Sequence, residues 1–134
     1  MTQRNPLLLI FSISCVSAVG TAQAIQLADI NPGPGHGAYP GHFASAWGGP
    51  ESGPWFFFSG DAPATGLELW KTDGTVCGTT MVLDINPGPS ASLPHSLTRA
   101  GDVAVFFADN GVTGWEPWRT DGTAAGTYLL KDIR

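Results

Sequence analysis

Apolar positions along the 134-residue chain fall in short runs, alternating or continuous, and each run is closed by glycine, proline, asparagine or aspartate. No stretch repeats its apolar residues at helical spacing for a useful length, so the pattern predicts an all-β chain. In the second half, SLTRA is a strand, Gly101-Asp102 a tight turn, and VAVFFA (103–108) a strand rich in β-branched and aromatic residues. DNGVTG then turns the chain, GWEPWRT runs back, DGTAAG turns it again and TYLLKDI closes the unit. Four strands joined by three hairpins make one antiparallel meander. HFASAW, WFFFS, LELWKT and TTMVLDI place the same four strands earlier, separated by GGPESG, GDAPATG and DGTVCG.

The two halves are copies of one unit. ELWKTDGTVCGTT (68–80) returns 48 residues later as EPWRTDGTAAGTY (116–128), and ten of the eighteen positions in 68–85 are identical in 116–133. DINPGP occurs at 29–34 and again at 84–89, so IQLADI, ahead of both units, copies the unit's last strand alone. The period is 48 residues, or 55 where the first unit carries its longer Pro/Gly loop, which is the range of propellers and other repeat arrays. The organisation is therefore a leading strand and linker (25–34), a first repeat (35–88) and a second repeat (89–134).

Side chains alternate along a strand, which puts Glu68, Trp70 and Thr72 on one face and Leu69 and Lys71 on the other. Trp70 and Trp118 then occupy equivalent faces, each able to bury a large aromatic area between stacked sheets. Asp73 and Asp121 can accept hydrogen bonds from backbone two residues on, and Gly74 and Gly122 can take the positive φ that such turns demand. Gly78 and Gly126 are assigned the same role on the return. The pattern E-L-W-x-x-D-G-T, with G-T beyond it, an apolar strand and D-I-N-P-G, resembles the ELWxxDGT repeat family of bacterial exported proteins. Glu68, Leu69, Trp70, Asp73, Gly74 and Thr75 carry it in the first copy, and Glu116, Trp118, Asp121, Gly122 and Thr123 in the second. The resemblance implies one β-propeller-like blade per repeat and no established reaction. Pro117 stands where Leu69 does, and full propellers use more than two blades. A longer gene product, assembly with other copies and a divergent remnant all fit a two-unit chain.

Residues 1–24, MTQRNPLLLIFSISCVSAVGTAQA, have the anatomy of a secretory signal peptide: Arg4 before an apolar run and Ala22-Gln23-Ala24 as the cleavage motif. The run is shorter than the roughly 20 apolar residues a membrane span needs. Cleavage would start the mature chain at Ile25, secreted, periplasmic or at the cell surface. That piece carries eleven acids against Lys71, Arg99, Arg119, Lys131 and Arg134. Such a chain suits neither nucleic acid nor, after cleavage, a membrane surface. Cys77 would be its single cysteine, which excludes an intramolecular disulfide and leaves Cys77, opposite Ala125, as a small filler.

Residues identical in both copies serve something both units need, and one catalytic centre is not needed twice. Asp73 and Asp121 are calcium candidates, yet DGTAAG lacks the spaced carboxylates of a calcium loop. Glu68 and Glu116 could form an acid pair for glycoside cleavage, against the simpler role of strand-face hydrogen bonding. His36, His42 and His95 lack metal-ligand spacing. No cofactor motif is present, and no catalytic residue is assigned. The sequence therefore favours an exported non-catalytic scaffold or binding and adhesion module. Loops 35–54 and 89–96 would contact a protein or glycan ligand, and the exposed ends of the array would self-associate. The competing class is a propeller-type hydrolase acting on carbohydrate, with loop acids such as Glu51 or Asp61.

Overall fold

The computed structural model describes residues 29–30, 47–48 and 54–133. Residues 1–24, read above as a signal peptide, and His36, His42 and Glu51 lie outside the described residues, as does most of the loop 35–54. The described chain is all-β and contains no helix. It forms eight strands: β1 (Trp47–Gly48), β2 (Pro54–Ala62), β3 (Gly66–Thr72), β4 (Thr80–Leu83), β5 (His95–Ala100), β6 (Val103–Asp109), β7 (Trp115–Thr120) and β8 (Tyr128–Leu129).

Two antiparallel sheets result, ordered β1-β2-β3-β4 and β5-β6-β7-β8, so each strand pairs with its neighbour in sequence. In the first sheet β2, β3 and β4 do most of the pairing, and β1 adds only two residues at the edge. The expected loop GDAPATG is shorter than the sequence suggested. Strand β2 runs on through Asp61 to Ala62, which pairs with Gly66 across a tight turn. Gly66 holds φ at 67°, and a Cβ there would meet the backbone of residues 89–91. TYLLKDI contributes only the two residues of β8.

The core lies between the sheets. Phe57, Leu69, Val82 and Ile85 from the first unit pack with Ala104, Phe106, Ala108 and Trp118 from the second. The period-2 pattern of β6 explains its contribution, since Ala104, Phe106 and Ala108 are buried together on one face. Trp118 lies in this cluster as expected of an aromatic between sheets. Trp70 is only half-buried, beside Phe58 at a ring separation of 6.4 Å. Ile30 packs over that face of the first sheet, its δ-methyl 2.7 Å from where a Cβ on residue 60 would sit. This contact accounts for Gly60 where the second unit has Ala108.

Proline cannot donate a ladder hydrogen bond, which favours a bulge or a locally unpaired position for Pro117. It lies in unbroken register opposite Phe107 of β6. Its carbonyl accepts the N–H of Leu130 at 2.9 Å, so its polar side faces the β8 edge and the ladder to β6 loses nothing. The bulges fall elsewhere, between Leu69 and Trp70 of β3 and within β5.

Candidate functional site

The DGT turns are the most repeated sequence and also the most repeated geometry. Asp73 Oδ1 accepts the N–H of Thr75 at 2.8 Å and its hydroxyl at 2.7 Å. Asp121 Oδ1 accepts the same two donors from Thr123 at 2.9 and 2.6 Å. Thr75 and Thr123 oxygens in turn accept the N–H of Gly78 and Gly126, both at 2.9 Å. Thr72 with Thr79, and Thr120 with Thr127, close the turn through hydroxyl pairs at 2.7 Å. Gly74 and Gly122 take the positive φ, 86° and 88°, that the sequence demanded. Gly78 and Gly126 do not. Their lack of a side chain is required because a Cβ would collide with the carboxylates of Asp73 and Asp121.

These bonds set the electrostatics of the two aspartates. The hydrogen bond from the Thr75 hydroxyl, followed by that from its N–H, holds the Asp73 carboxyl below its ordinary range. The Thr123 hydroxyl does the same for Asp121, helped by Arg119, whose guanidinium lies 3.7 Å away. As calcium candidates they stand without company: among the described residues no three His, Cys, Asp or Glu side chains gather as metal ligands would.

Glu68 and Glu116 are fully buried, one in β3 and one in β7. Glu68 accepts the N–H of Ile85 at 3.0 Å, the N–H of Ser92 at 3.0 Å and, in a short bond, the Ser92 hydroxyl. Burial nevertheless dominates and raises its pKa above the ordinary 4.5. Glu116 repeats only the first of these bonds, accepting the N–H of Ile133 at 3.1 Å, and its Oε1 has no partner. Each acid thus anchors the backbone 17 residues on in its own unit. Sequence reasoning found the two glutamates but missed Ser92, because Ser92 lies in a loop that differs between the copies.

The loop 89–96 was expected to face a partner, yet part of it is interior. Ser92 and Pro94 are fully buried, while Pro89, Ser90 and Leu93 are exposed. Ser92 and Leu93 both donate N–H groups to Leu67 O at 3.1 Å, and Ser92 O receives Asp109 N–H at 3.0 Å. His95 starts β5 with its ring against Phe107 and Trp115, centroids 5.8 and 4.8 Å away, and its Nδ1 lies 3.0 Å from Ser96 Oγ. Asp61 is in strand β2 opposite Leu67, not in a loop. Cys77 also departs from expectation: it is exposed, not an interior filler. The sequence's other cysteine, Cys15, lies outside the described residues. Comparison with protein-family models, with curated proteins and with solved structures finds no match.

Proposed function

We propose that the chain is an exported, non-catalytic repeat protein of the ELWxxDGT type, its two sheets serving as propeller-like blades of a scaffold or binding module. The observation that carries this reading is the one-for-one recurrence of the DGT turn, every bond reproduced at a 48-residue offset. Residues spent on the same turn and anchor in both units are accounted for by folding, and they leave the exposed loops to vary for recognition. Partner contacts would come from loop 35–54 and from the exposed part of loop 89–96, Pro89, Ser90 and Leu93, with a protein or glycan as ligand.

Two measurements test the reading. The protein recovered from the exported fraction of an expressing bacterium should begin at Ile25 by N-terminal sequencing; a start at Met1 argues against export. The exported protein should then bind members of a glycan and envelope-protein array in a way weakened by Leu93→Ser and left intact by Asp73→Asn. Hydrolysis of a glycoside panel that disappears with Glu68→Gln would overturn the non-catalytic assignment.

A further inference from the structure

Ser92 bonds the linker between the two units to both of them. It is fully buried, its N–H donates to Glu68 Oε1 at 3.0 Å and its hydroxyl to Glu68 Oε2, and its carbonyl accepts the N–H of Asp109 at 3.0 Å. Glu68 belongs to β3 of the first sheet, and Asp109 ends β6 of the second. Leu93, the next residue, holds φ at 51°, in the left-handed region that a branched side chain takes only where its surroundings impose it. The N–H groups of Ser92 and Leu93, both on Leu67 O at 3.1 Å, impose it here.

Among the described residues no cation is paired with the carboxyl at the centre of this joint. Lys71, on its own strand, is on the other face of the sheet, with Nζ 4.4 Å from the centre of the Trp55 ring. The titratable groups on the segments around Glu68 are Asp61, next to the Gly60 that pairs with it, then Asp84 and Asp109. Asp84 Oδ2 accepts the N–H of Gly88 at 3.2 Å, and Asp109 Oδ1 that of Gly111 at 2.8 Å. All three are acids, so only hydrogen bonds favour the ionised form of Glu68, and burial outweighs them. The joint therefore has to house this carboxyl in both of its forms.

A carboxylate only accepts hydrogen bonds, whereas a carboxylic acid must also donate one. Ser92 meets both demands without moving a heavy atom, because its Oγ lies 3.4 Å from Leu67 O as well as beside Glu68 Oε2. With Glu68 ionised, the serine O–H donates to Oε2. With a proton on Oε2, the acid O–H donates to Ser92 Oγ and the serine hydrogen turns to Leu67 O. The N–H bonds from Ser92 to Oε1 and from Ile85 to Oε2 persist in both arrangements. The second unit lacks the device, since Glu116 has the N–H of Ile133 and an unpartnered Oε1.

We propose that Ser92 and Glu68 form a proton switch that keeps the joint between the two units closed in either charge state, the serine hydroxyl reversing its direction as Glu68 gains or loses its proton. The switch requires neither export nor a ligand. Solution NMR of the full chain across pH tests it, following the Glu68 side-chain carboxyl carbon and hydrogen exchange at the Ser92 and Leu93 amides. The carboxyl should titrate within the folded protein, while protection of both amides, corrected for intrinsic exchange, changes by less than about threefold. Glu68→Gln reproduces the protonated arrangement, its amide N–H standing for the acid O–H, and should keep that protection where Glu68→Ala loses it. Ser92→Ala removes the hydroxyl and should cost Leu93 at least about 10-fold in protection once Glu68 is protonated, as stranding a buried donor does. A carboxyl that does not titrate before unfolding, or wild-type amides that open as Glu68 takes up its proton, would overturn the assignment. So would Glu68→Gln as unprotected at Leu93 as Glu68→Ala, or Ser92→Ala indistinguishable from wild type in acid. The wild-type titration and the Glu68→Gln comparison keep the test valid if Ser92→Ala fails to fold.

Discussion

The N–H of Ser92 donates to the buried carboxylate of Glu68 across 3.0 Å, and the two residues are 24 positions apart in the sequence. The bond ties the strand that carries the ELW motif of the first unit to the loop that leads into the second. Glu116 holds only the backbone of Ile133 and keeps an unpartnered oxygen. The same motif residue therefore joins two units in one copy and closes a single unit in the other.

Unequal partners predict unequal costs. Replacing Glu68 with Ala strands three donors and should destabilise the protein by on the order of 3 kcal/mol, against about 1 kcal/mol for Glu116→Ala, because only one donor is lost there. Urea titration of the two variants decides it. Equal losses would show that Ser92 contributes nothing.

Acid dependence should follow from the same carboxylates. Burial raises the Glu68 pKa above 4.5, so the folded state holds this proton more tightly than the unfolded chain does. Its contribution is present below 4.5 and is lost as pH rises through the folded value. Asp73 and Asp121 are depressed below 3.8 by their threonine partners. Their contribution is present above 3.8 and is lost as pH falls through the folded values. Stability should thus be greatest between the two windows, on the acid side of neutrality. Glu68→Gln should flatten the decline above 4.5 in chemical unfolding followed across pH, and should leave the acid limb unchanged.

Gly126→Ala should cost on the order of 2 kcal/mol, since the new methyl collides with the Asp121 carboxylate. Removing that carboxylate first should relieve the clash. In a double-mutant cycle, Gly126→Ala made in an Asp121→Ala background should therefore cost less than half as much. Additive costs would place the requirement for glycine in the backbone and not in the contact.

The two repeated tryptophans should separate by burial. Trp118 sits in the core between the sheets and its replacement by Ala should cost about 3–5 kcal/mol. Trp70 is half-buried, and its loss should cost roughly half of that. Thermal unfolding of both variants checks the order.

Much of the strand plan was legible because strand periodicity, turn glycines and the internal copy are all local signals. The strands read over 103–108 and 114–120 are observed as Val103–Asp109 and Trp115–Thr120, and the turn read at Asp121 and Gly122 is built as those residues imply. The role of Gly126 was not legible in the same way. A steric requirement and a positive φ leave the same residue in the sequence, and only the carboxylate standing over it distinguishes them.

What the sequence alone determined was the all-β class, two antiparallel sheets built from neighbouring strands and the Asp-Gly-Thr part of the turn chemistry, since each depends on residues a few positions apart. The tertiary structure decided which face of each sheet is covered, that Ser92 belongs to Glu68, and that Pro117 keeps its register by turning its missing donor toward the β8 edge. Those outcomes rest on packing between segments whose relative placement no period encodes. An alternating strand marks two faces, and only the neighbour that docks on it fixes which one becomes the interior.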